Sequence, residues 1–112
     1  MAEPNTPLAP AAFLILFALA GGEKHGYAIM REARKLADGS FAIGPATLYT
    51  TIQRLLESEW IEEVAGPKGS DSRRRYYGLT RLGDSVLDTE LRRMETLVRK
   101  SKALRMRRAE GL

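Results

Sequence analysis

The stretch Gly44 to Leu56, GPATLYTTIQRLL, decides how this chain folds. Gly44 stands at a helix cap, and Pro45 takes the first helical position, where a missing N–H removes a donor that has no intrahelical partner anyway. At about 100° per residue, Leu48, Ile52, Leu55 and Leu56 fall in one sector, with Ala46, Thr47, Thr50, Gln53 and Arg54 opposite. The apolar sector predicts burial. The opposite face offers short hydroxyls, an amide and a guanidinium, the groups that meet phosphates and base edges. Taken alone, the same pattern also describes an ordinary amphipathic surface helix.

Outward from this helix the chain reads as helix, helix, helix, hairpin, long helix. Residues Leu8 to Ala20 are apolar on nearly every face, predicting a buried central helix stopped by Gly21-Gly22. Ala9 provides no side-chain cap, so Thr6 before Pro7 is a candidate cap for an earlier start. A second helix is expected from about Gly26 to Ala37, turning Tyr27, Met30, Ala33 and Leu36 inward and Arg31, Arg34 and Lys35 outward, before the loop at Asp38-Gly39-Ser40. The third helix runs to about Ser58. Ile61 to Val64 and Arg74 to Leu79 read as strands around GPKGSDS, forming a small β-hairpin with an exposed, partly basic tip. Trp60 is expected to bury under this wing, and Tyr77 and Leu79 to share its inner face with Tyr76 on the other. Thr80 caps a last helix of roughly 25 residues, about 38 Å long. Along it Leu87, Leu91, Met94 and Val98 recur at spacings of four, three and four, a coiled-coil-like seam.

Three motifs, HGY at His25 to Tyr27, GPATLY at Gly44 to Tyr49 and RRYYGLT at Arg74 to Thr80, arrive in an order and spacing that resemble the PadR family of bacterial winged helix-turn-helix transcriptional regulators. The matching elements run from about Leu8 to about Arg108. Two positions depart from the family pattern. Ala9 stands where Ser or Thr is usual, and Glu59 stands where a helix-ending Gly is common, which puts the exit from the third helix in question. The resemblance implies a short form of the family in which the C-terminal helix makes the dimer, so that Leu87, Leu91, Met94 and Val98 are the expected dimerisation residues. It also implies a DNA-facing Tyr49 and release from DNA by a small aromatic or toxic effector.

Composition narrows the function classes independently. A chain of 112 residues with 44% hydrophobic content suits one domain with one modest core. Lacking cysteine and holding a single histidine, it has no thiolate or His-paired metal set and no His/Cys dyad. His25 reads as a helix-start or packing residue, and Glu57, Glu59, Glu62 and Glu63 as a solvated edge rather than an acid and base pair. No catalytic residue, metal ligand or cofactor is therefore expected. The longest apolar run is too short to span a bilayer and the N-terminus does not resemble a signal peptide, so the reading is a cytoplasmic protein without a membrane partner. The net charge of +4 is uneven: residues 91–112 carry +6 and residues 1–90 carry −2. Any DNA contact made by the body must rest on local placement of its positive groups.

The fold class expected is mainly α with a small β-hairpin: a flexible arm over 1–7, a winged helix-turn-helix over 8–80, and a dimerisation helix with a basic tail over 81–112. The function expected is a homodimeric, sequence-specific repressor on a palindromic operator in double-stranded DNA. Pro45, Thr47, Tyr49, Thr50, Gln53 and Arg54 would face the major groove, with Lys68 and Arg73 on neighbouring phosphates. The alternative is a winged-helix adapter that binds protein through the same third helix.

Overall fold

The other three helices pack on the most apolar one. A computed structural model describes residues 7–111, and among them α1 (Pro10–Ala20) buries Leu14, Ile15, Leu16, Ala18 and Leu19 beneath α2 (Gly26–Leu36), α3 (Pro45–Glu57) and α4 (Arg81–Ala109). Three short strands, β1 (Lys24–His25), β2 (Ile61–Val64) and β3 (Tyr76–Leu79), form an antiparallel sheet in the order β1-β3-β2. Sequence patterning predicts only the hairpin. β1 escapes it because two residues carry no periodicity, and it exists only because Lys24 and His25 pair with Tyr77 and Tyr76. In β3 the ladder starts at Tyr76, not Arg74.

One helix boundary and one helix face differ from expectation. α1 starts at Pro10, with Ala9 extended at the cap and giving no side-chain hydrogen bond. Leu8 precedes the helix as a buried core residue, while Thr6 lies outside the described residues. In α2 the buried positions are Gly26, Ile29 and Ala33, whereas Tyr27 and Leu36 are exposed. Packing against α1 rotates the helix so that Tyr27 lies outside on one stripe with Arg31, whose guanidinium sits 5.4 Å from its ring centroid.

The exit from α3 keeps the left-handed turn that its sequence makes costly. Glu59 adopts φ 63°, its N–H donates to the Leu56 carbonyl at 3.0 Å, and the Trp60 N–H donates to Leu55 at 3.0 Å. This is a Schellman closure with a glutamate in the glycine position, at a cost of about 1–2 kcal/mol. The same closure ends α2, with Asp38 at φ 54° and the Gly39 N–H on the Arg34 carbonyl at 3.1 Å.

The turn at Glu59–Trp60 then grips the first turn of α4. The Thr80 N–H donates to the Trp60 carbonyl at 3.1 Å, its hydroxyl donates to the Glu59 carbonyl at 2.6 Å, and the hydroxyl oxygen caps the Gly83 N–H at 3.0 Å. A Cβ on Gly83 would lie 1.8 Å from the Trp60 carbonyl oxygen, so only glycine permits this approach.

The seam on α4 is not one surface. Leu87 is 3% exposed and sits with Val86 in the chain's own core, and Leu91 is half-buried against that core. Leu87 is therefore corrected from a dimerisation residue to a core residue: the first three turns of α4 lie on the domain, where burying such a side chain contributes about 1.5–3 kcal/mol. Met94 is half-buried, while Leu97, Val98, Leu104 and Met106 are exposed farther along, where the 29-residue helix has left the body.

One polar group was missed altogether. Glu90 is 1% exposed, and its carboxylate accepts the Leu8 N–H at 3.1 Å and the Arg93 Nε and Nη2 at 3.1 and 2.9 Å. Those bonds hold its carboxyl below the ordinary 4.5, with the Arg93 guanidinium the largest cause, against the opposing effect of burial. It ties the chain ahead of α1 to the middle of α4.

Candidate nucleic-acid interface

Burial of Leu48, Ile52 and Leu55 against the core fixes the rotation of α3. The opposite side of that helix must then face outward. Pro45, Thr47, Tyr49, Thr50, Gln53 and Arg54 are all exposed, so the structure brings together the six helix residues named from sequence. At 13 residues the helix is about 20 Å long, and its polar face begins at the N-terminal turn, where short side chains let a surface approach the backbone.

Tyr49 is fixed more closely than the amphipathic pattern implies. Its ring lies across Gly26, where an added Cβ would come within 2.9 Å of the phenol oxygen and 3.3 Å of two ring carbons. Gly26 thus holds the α3 tyrosine against the start of α2. His25, one residue earlier, is the N-cap of α2, its Nδ1 accepting the Ala28 N–H at 3.2 Å. The ring also stands edge-on to Tyr76 at 5.3 Å. Burial, followed by the positive charges of Arg74 and Arg31, pushes its pKa below 6.5, favouring the neutral ring.

The wing is a loop between β2 and β3 turned by Gly69 at φ 86° and by the Ser70 N–H on the Pro67 carbonyl at 3.0 Å. Lys68 is exposed at its tip. Arg73 is exposed as well, but Asp71 engages its guanidinium: Nε and Nη2 donate to the two carboxylate oxygens at 3.2 and 3.1 Å. That pairing, with the Arg73 backbone N–H added, lowers the Asp71 pKa. Such an exposed pair is worth little and exchanges readily. Arg74, which the sequence reading passed over as a contact, instead turns toward His25, with Nη1 3.1 Å from Nε2. Its orientation depends on the pairing of β1 with β3, a contact across 49 residues that no local pattern carries.

A cavity of about 340 Å³ lies where Tyr49 of α3 meets the start of α2 and the root of the wing. Among the described residues, no group of three or more His, Cys, Asp or Glu side chains could hold a metal ion, and no helix is long and apolar enough to cross a membrane.

Residues 15–89 match the family model described as the transcriptional regulator PadR-like family. An uncharacterised protein from Lysinibacillus sphaericus is 36% identical over 74 residues, covering 66% of this chain and 68% of that protein. Among solved structures, a PadR family transcription regulator from Clostridium difficile superposes with a TM-score of 0.71 at 21% identity, over 86% of this chain and 98% of that one. Bacillus subtilis PadR in complex with operator DNA superposes with a TM-score of 0.62 at 22% identity, over 71% of this chain and 45% of that one.

Proposed function

The chain belongs to the PadR-like family of transcriptional regulators, and from that premise we propose that it is a DNA-binding repressor acting in the cytoplasm as a homodimer on a palindromic operator. The observation that carries the proposal is the exposed face of α3, with Thr47, Thr50, Gln53 and Arg54 aligned on a helix whose opposite face is locked into the core. The operator complex of Bacillus subtilis PadR supports double-stranded DNA as the partner. Met94, Leu97, Val98 and Leu104 on the free length of α4 support a helix-mediated dimer, because a stripe of that kind is normally covered. Two-fold symmetry then gives a two-fold operator. On this reading residues 8–80 bind DNA, the length of α4 beyond the body dimerises, and Lys68 and Arg73 steady the wing on phosphates.

Release by a small aromatic compound belongs to the same proposal. An apolar recess of about 330 Å³ beside the start of α3, lined by Tyr27, Met30, Ile43 and Pro45 with Arg31 and Arg34 at its edge, is the place to test it.

The test is selection of duplexes from a random library with the purified protein, followed by anisotropy titration. Gln53→Ala and Arg54→Ala each remove a base or phosphate contact worth about 1–3 kcal/mol, so each is expected to weaken operator binding about tenfold or more with an unchanged melting curve. Affinity should fall linearly in log–log form with salt. Parental affinity in both variants, or binding indifferent to salt, refutes the DNA reading and favours a protein-binding adapter.

A further inference from the structure

Arg74 and His25 meet in a way that neither can satisfy alone. The Ala28 N–H donates to His25 Nδ1, so the neutral ring, its tautomer assigned by that partner, carries its proton on Nε2. A guanidinium has no acceptor. Nε2–H and Nη1–H therefore point two donors at each other across 3.1 Å. Among the described residues, no carboxylate pairs with Arg74, in contrast to Arg73 on Asp71 and Arg93 on Glu90. The Tyr49 hydroxyl adds a third polar hydrogen at the same cavity, held there by its packing over Gly26. Converging donors around an open cavity of about 340 Å³ call for an anionic acceptor with several oxygens. The orphan N–H groups at the start of α2 add partial positive charge on the same side.

We propose that this recess, bounded by His25, Tyr49 and Arg74, seats one backbone phosphate of the bound DNA in each half-site, with Arg74 as its cation. The proposal rests on the DNA-binding reading and deepens it: the phosphate is clamped at the junction of α2, α3 and the wing root, so that one contact fixes the angle at which α3 enters the groove. Arg73, which also lines the recess but is engaged by Asp71, and Lys68 at the wing tip make exchangeable contacts instead.

The experiment is a methylphosphonate scan, in which single phosphates of a selected duplex are neutralised in turn and binding is followed by anisotropy. The parent is expected to lose about tenfold at one symmetry-related position per half-site, the loss of one charged contact. Arg74→Gln should bind more weakly throughout, lose nothing further at that position, stay sensitive elsewhere, and show a salt slope lower by about 0.9 per seat. Tyr49→Phe should show the same selective blunting in part, and Arg73→Gln should keep the full loss at that one position. Both Arg74→Gln and Tyr49→Phe alter exposed groups, and circular dichroism checks their folding. If the parent binds duplexes but Arg74→Gln keeps the parental affinity, or remains sensitive at every position that the parent is, the phosphate seat is wrong and the DNA reading stands. If the parent shows no salt-dependent duplex binding, the DNA reading itself fails.

Discussion

A single methyl group at Gly83 is expected to disturb both the stability of the fold and, in the proposed dimer, the geometry with which two copies of α3 are held. The new Cβ would lie 1.8 Å from the Trp60 carbonyl oxygen, against the 3.0 Å below which real contacts essentially never fall, a shortfall of roughly 1.2 Å. The obstacle is backbone, so no side-chain rotation relieves it. Overpacking of this kind costs about 1–3 kcal/mol. Strain in the Thr80 bonds to Trp60 and Glu59 adds on the order of 1 kcal/mol. Alanine returns about 1 kcal/mol of helix propensity, leaving a net loss of about 1–3 kcal/mol. With a urea slope of about 1–3 kcal/mol per molar, the midpoint should fall by roughly 1 M. If Leu87 stays seated one turn farther on, a wedge of that size over a 5.4 Å pitch tilts α4 by roughly 12°. Its far end then sweeps roughly 7 Å, enough in the proposed dimer to misplace the partner's α3. Folded Gly83→Ala should accordingly lose more operator affinity than its stability loss explains. A midpoint equal to or above the parent's would show that the grip yields freely, and the account of the Trp60 contact would be wrong.

Three further outcomes follow from the packing. Glu90→Gln should cost about 1.5–3 kcal/mol near neutral pH. Because the folded carboxyl is held below 4.5, the ion's contribution is complete above about 4.5 and is lost as pH falls through the folded value; parent and variant should converge in acid, and a pH-independent gap would contradict this. On α4 the apolar positions should separate: Leu87→Ala is expected to destabilise the fold by about 2–5 kcal/mol, whereas Val98→Asp, at a side chain 54% exposed, should leave a folded protein that sediments as a monomer. A Val98→Asp dimer as tight as the parent would remove this stretch from the interface. Glu59→Gly should raise the denaturation midpoint by about 1 kcal/mol equivalent, since glycine adopts φ 63° without strain, and a lower midpoint would mean the turn is not strained.

The sequence by itself determined the elements whose cause is local. Helical periodicity over Pro45–Glu57 assigned both faces of α3, because burying Leu48, Ile52 and Leu55 forces Thr47, Thr50, Gln53 and Arg54 outward whatever covers the helix. Thr80 announced the start of α4, and the turn residues of GPKGSDS announced the wing. The family resemblance rested on the same local motifs. Tertiary structure alone decided what depends on a neighbour distant in sequence. The inward face of α2 turned on contact with α1, which exposed Tyr27 and buried Ile29. β1 has no existence apart from its pairing with β3, and through that pairing Arg74 reaches His25. Glu90 looks like any surface glutamate until the chain at Leu8 crosses it, and the seam on α4 divides into core and free surface only where the body ends. Periodicity records that a side chain is apolar. Which surface covers it is fixed by packing, whose partners lie tens of residues away in the chain.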